Sequence, residues 1–139
     1  LRGRVHEGQL LLERLLAEEP SSAELNFEVG DAWLEKNEAA KALQFLAAAL
    51  RASPAFLPAH GAIGKAYVQL GRPAEAIPHL KAVLAADKDG SAHFQLARAY
   101  RESGQEALAR RAAAEFRTLY RARQERREEM QRETRITAP

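Results

Sequence analysis

Four histidines, His6, His60, His79 and His93, are the side chains best suited to do chemistry near neutral pH. Imidazoles hold transition metals when two stand four residues apart on a helix, or when they flank a glutamate as in HExxH. Neither pattern occurs here, and with no cysteine in the chain no thiolate can complete a ligand set. No metal and no cofactor are expected. Ser53, Ser91 and Ser103 fall in or near turns, with no histidine or carboxylate at a consistent spacing, so nucleophilic catalysis has no support. The glycines form neither a GxGxxG fingerprint nor a phosphate loop followed by Lys-Ser/Thr. Acidic residues are dispersed singly, as on solvated faces. The chain is expected not to be an enzyme.

The elements that carry these residues read as all helix. Alanine runs at Ala47–Ala49, Ala85–Ala86 and Ala112–Ala114 favour helix and let backbones approach closely. Only four Val, three Ile and three Thr are present, and no stretch alternates apolar and polar over a strand length. With 139 residues, 46% of them hydrophobic and 29% charged, the chain can bury a core without disulfides. No apolar run approaches the roughly 18 residues of a membrane span, and neither a signal-peptide core nor a lipidation motif is visible. The compartment stays open. Leu1 in the place of Met reads as an excised or processed piece, expected to come from a longer array.

An internal repeat organises the helices. Gly30-Asp31-Ala32-Trp33, Gly64-Lys65-Ala66-Tyr67 and Ala97-Arg98-Ala99-Tyr100 align at spacings of 34 and 33 residues. Downstream of each comes a turn residue, Asn37, Gly71 or Gly104, and then an alanine, Ala42, Ala76 or Ala109. Each unit is thus two helices joined by a short turn, with small residues where the backbones cross. Helices are predicted near 4–18, 23–36, 39–52, 57–70, 73–86, 90–103 and 105–133. Ser21 and Ser22 offer caps. Pro78 should kink its helix modestly. His60 and His93 hold equivalent places in successive first helices, where partly buried packing is expected.

These residues resemble the tetratricopeptide repeat family. The resemblance implies an all-α fold, a right-handed superhelix (α-solenoid) of stacked antiparallel helix pairs with a long C-terminal helix, and a protein–protein interaction scaffold. It divides the chain into the second half of a truncated repeat at 1–22, repeats at 23–56, 57–89 and 90–122, and a polar helical extension and tail at 123–139. Gly3 would mark the turn and Gly8 the alanine position of the truncated repeat. Pro20 and Pro54 close their repeats, with Lys88 at the third closing place.

In the resembling family the first helices line a concave groove. Carried over by position, the binding residues are Phe27, Asp31, Leu34, Lys65, Val68, Phe94, Arg98 and Arg101, with Glu35 beside the acidic end. Phe27, Leu34, Val68 and Phe94 would supply apolar pockets. Asp31 followed by Lys65, Arg98 and Arg101 would orient a peptide of matching charge. The clamp with which the family's chaperone-tail binders grip a terminal carboxylate is broken by Phe27, Asp31, Lys65 and Phe94. The alternative role is self-association or assembly, or service as the regulatory arm of a larger enzyme. A homo-oligomer through the N-terminal helix is one form of it, because Leu10, Leu11, Leu12, Leu15 and Leu16 cannot all face one neighbour.

Charge is uneven. Residues 98–139 hold 11 Arg against 7 Glu, within a net charge of only +2 for the chain. A docking strip of Arg121, Arg123, Arg126 and Arg127 for an acidic partner or nucleic acid is the sharper reading of this helix. The interleaved glutamates favour a solvated one, so nucleic acid is not the expected ligand. The final residues should be disordered.

Overall fold

A computed structural model describes residues 2–137. The expected disorder of the final residues concerns, at positions 138–139, places outside that range. Seven α-helices follow one another: α1 (Arg2–Glu18), α2 (Ala23–Glu35), α3 (Ala39–Ala52), α4 (Leu57–Gln69), α5 (Pro73–Val83), α6 (Ser91–Glu102) and α7 (Glu106–Thr137). A 3₁₀ turn at Leu84–Ala86 prolongs α5, which stays a single helix across Pro78. The helices pack as adjacent pairs, α2 on α3, α4 on α5 and α6 on α7, and each pair stacks on the next. The fold is an α-solenoid.

The three turns inside the pairs are alike for a physical reason. Asn37, Gly71 and Gly104 all take positive φ, at 60°, 71° and 79°. At each, the turn N–H bonds the carbonyl three residues back. The next N–H bonds the one five back, as in Glu38 to Trp33, Arg72 to Tyr67 and Gln105 to Tyr100. Asparagine is the side chain that tolerates this conformation best after glycine, which explains its place at 37.

Within a pair the backbones cross at the small residues. A Cβ added to Gly64 would lie 2.5 Å from Leu80 Cγ, and one on Gly30 would lie 2.7 Å from Leu46 Cγ. Leu46 and Leu80 are almost wholly buried there. Leu34, Leu46, Ile63 and Ala66 form one core cluster, and Val68, Leu80, Leu96 and Tyr100 another.

A polar link ties each pair to the one before it. Asn26 Nδ2 donates to the carbonyl of Pro20 at 3.0 Å, and His60 Nε2 meets the carbonyl of Pro54 at 3.0 Å. At the third such place His93 Nδ1 lies 2.6 Å from the carboxylate of Asp87. In all three the partner stands six residues earlier. The closing register therefore belongs to Asp87 and not to Lys88, because Asp87 is the residue His93 reaches. His93 is indeed buried, as a packing position should be, but it is held by a bond to a carboxylate as well as by shape.

At the ends the expectations need correcting. Gly3 lies inside α1 rather than at a turn, and a Cβ on Gly8 would meet nothing within 4 Å among the described residues, so Gly8 is not a crossing point between them. The last helix continues to Thr137, beyond the expected end near 133, since no Pro or Gly interrupts it. From Glu125 onward its side chains are exposed.

Candidate functional site

The first helices of the three pairs lie side by side, α2 against α4 and α4 against α6. There a cleft of about 410 Å³ runs across α2, α4 and α6. Phe27 and Asp31 enter it from α2, Pro58, Gly61 and Lys65 from α4, and Ser91 and Gln95 from α6. The repeat period brings Phe27 into line with Gly61, Asp31 with Lys65, and Pro58 with Ser91, as helices stacked with a constant small rotation should, whereas Gln95 enters from a neighbouring register.

Phe27 is half-buried and meets Phe56 edge-to-face, with ring centroids 5.7 Å apart. One edge packs, and the rest lines the cleft. Lys65 is exposed and Asp31 partly so, giving the floor one charge of each sign. Gln95 adds an amide whose buried carbonyl oxygen has no hydrogen-bond partner among the described residues. Asp87 also reaches the cleft, but its carboxylate is engaged. It accepts from the backbone N–H and the ring of His93, and Asp89 accepts from the N–H of Ser91. Together the two carboxylates cap α6, whose N-cap residue Gly90 has no side chain to do so. Burial pushes the Asp87 carboxyl upward, yet the hydrogen bonds from His93 and Ala92 outweigh it and leave the group below its usual range. The other ring nitrogen of His93 lies 3.2 Å from Glu115 on α7.

Not every carried-over residue reaches this cleft. Leu34 and Val68 are 1% and 2% exposed and belong to the core. Their shared register faces the next pair, Leu34 among Ala62, Ile63 and Ala66, Val68 among Leu96, Ala97 and Tyr100. They offer a ligand no surface. Arg101 occupies the same register on α6, where no further first helix packs among the described residues, and is accordingly exposed. Arg98 holds the place of Lys65 one helix on and pairs with Glu102 at 2.9 Å. Phe94 is 49% exposed but lies against Phe116, with centroids 5.4 Å apart, outside the cleft lining. Asp87 and Gln95 were missed by position counting. A signal for Asp87 existed in the six-residue spacing shared by Pro20–Asn26, Pro54–His60 and Asp87–His93.

A second cleft opens between α3 and α5, lined by Leu43, Leu50, Arg51, Tyr67 and His79 among others. Burial, and then the charge of His60, hold His79 below the usual histidine range. Among the described residues no group of three or more His, Cys, Asp or Glu is placed to hold a metal, and no helix is long and apolar enough to cross a membrane.

Two family models, each described as tetratricopeptide repeat, match the chain, one over residues 2–55 and the other over 34–99. No curated protein matches. Among solved structures the chain is similar to MamA AMB-1, at 26% identity and a TM-score of 0.75 over 87% of this chain and 72% of that one. It is similar also to MamA MSR-1, at 26% identity and a TM-score of 0.71 over 85% of this chain and 68% of that one.

Proposed function

The chain belongs to the tetratricopeptide repeat family, and on that premise we propose that it is a non-catalytic scaffold that holds a peptide segment of a partner protein in the concave cleft. The family's members are interaction scaffolds in general. The observation that supports the finer reading is the line of Phe27, Asp31, Lys65 and Gln95 across three helices in one cleft. An extended segment would place an apolar side chain on Phe27 and oppose its own charges to Asp31 and Lys65. Turned outward from its buried position, the Gln95 amide would bond the segment's backbone. Arg98 and Arg101 extend the basic end beyond the cleft, and Phe94 offers an apolar neighbour there. Leu34 and Val68 act only through the scaffold.

Peptides selected by display against the whole chain test this reading. Phe27→Ala and Lys65→Glu should each weaken a selected peptide about fivefold or more, the second in a salt-dependent way, with helicity unchanged. Equal affinity across both variants would move the site off the concave side.

Self-association is supported by a separate observation. Leu10, Leu11 and Leu15 are 43%, 58% and 40% exposed on α1, whose packing is against α2. Sedimentation of the chain and of a Leu11→Glu, Leu15→Glu variant decides it, since only this reading has the mass fall on substitution.

A further inference from the structure

Helix α7 outruns the helix it packs on. Phe116 lies against Gly90, the residue before α6, and neighbours Phe94 and Tyr120 at centroid distances of 5.4 and 5.8 Å. Past that point α6 has ended, and from Glu125 onward every side chain of α7 is exposed. Its packing face does not stop there. At 3.6 residues per turn, the side occupied by Ala109, Ala112 and Phe116 continues through Leu119, Arg123, Arg126 and Arg127 to Met130 and Thr134.

Between positions 121 and 137 the arginines and glutamates are interleaved along the chain but sorted in space. Arg123, Arg126 and Arg127 share a sector of roughly 160° with Met130, Gln131 and Thr134, and no carboxylate falls within it. Glu125, Glu128, Glu129 and Glu133 all stand outside, where Arg121 and Arg132 balance part of their charge. Arg127, Met130, Gln131 and Thr134 border one shallow surface depression, which Arg135 also reaches. Among the described residues no ion pair engages an arginine of this stretch. The strip expected at Arg121, Arg123, Arg126 and Arg127 is thus a seam without Arg121.

We propose that this seam docks an acidic amphipathic helix of a partner protein. Its carboxylates oppose Arg123, Arg126 and Arg127, and an apolar side chain covers Met130. Charge selects that occupant. A second copy meeting the seam by twofold symmetry sets arginine against arginine. Duplex DNA flanks a helix in its major groove with phosphates on both sides, where they meet Glu128 and Glu133. A membrane surface takes a face of large apolar side chains, and beyond Tyr120 the sector holds Met130 alone. A partner helix touches the one sector and leaves the glutamates in water. The seam is separate from the cleft across α2, α4 and α6, so either reading can fail without the other.

The test selects helical peptides by display on the full chain, with counter-selection on an Arg126→Glu, Arg127→Glu variant, and measures affinity by fluorescence anisotropy. Selected peptides should carry Asp or Glu at steps of three and four residues, next to an apolar residue. Arg123→Glu should weaken them roughly tenfold or more, and added salt should weaken binding to the parent chain. Met130→Ala should cost about threefold or more with no further salt dependence. Arg132→Glu makes the same charge change on the other side and should leave affinity within about twofold, as should Phe27→Ala in the cleft. Circular dichroism should show every variant as helical as the parent. Recovery of no acidic peptide would overturn the proposal, as would equal losses from Arg132→Glu and Arg123→Glu. So would an RNA duplex or an anionic vesicle that binds through Arg123 more tightly than any selected peptide.

Discussion

Replacing Gly64 with alanine sets two effects of known size against each other. Alanine is favoured over glycine inside a helix by about 1 kcal/mol, because it loses less backbone freedom on folding. At Gly64 the added methyl would stand 2.5 Å from both Cγ and Cδ2 of Leu80, which is 1% exposed and has no room to withdraw. Overpacking of that kind costs about 1–3 kcal/mol. The balance is about 0–2 kcal/mol of destabilisation. Gly8→Ala is the matched control, since the same methyl meets nothing within 4 Å and should stabilise by most of the helix gain. At about 2–4 °C per kcal/mol, Gly64→Ala should melt several degrees below Gly8→Ala. Leu80→Ala alone should cost about 2–5 kcal/mol through its cavity. Combined with Gly64→Ala it should cost less than the sum, because the new methyl fills part of the hole, with a coupling of about 0.5–3 kcal/mol. Circular dichroism melts of the four proteins provide the cycle. Stabilisation at Gly64 equal to that at Gly8, or a strictly additive cycle, would refute the crossing geometry.

Further outcomes follow from the same structure. Gly64→Leu should remove cooperative melting, since the site does not accept even one carbon without displacement of Leu80. Asp87→Asn should cost about 1–2 kcal/mol, measured by urea unfolding, through the weakened α6 cap. Because the folded Asp87 carboxyl is held below its usual value of 3.8, its contribution is present above that pH and lost as pH falls through the folded value, so the variant should show a flatter acid limb. His79 is held below 6.5 in the fold, so stability should decline as pH falls from 6.5 toward the folded value, and His79→Gln should remove that slope. Deleting residues 124–139 removes the exposed end of α7. Helical signal should fall while the unfolding free energy stays within about 0.5 kcal/mol of the parent, and a larger loss would show that the extension supports the pairs.

The sequence determined the helix pairs almost to the residue. Small side chains at Gly30, Gly64 and Ala97, and turn residues at Asn37, Gly71 and Gly104, recur with a period that only stacked hairpins explain. Those signals are local, because each reports on a helix and the partner that immediately follows it. The face that Leu34 and Val68 present was not local. Their register looks like groove when one pair is considered, and it becomes core only when the next first helix is laid against it. Exposure of Arg101 at that register has the same origin. The His60–His79 and His93–Glu115 contacts likewise join residues whose spacing carries no period. A 3.6-residue repeat fixes which side of a helix is apolar, but the rotation between successive pairs decides which apolar side chains are covered and which polar ones meet. That rotation is set by the packing of all the pairs together.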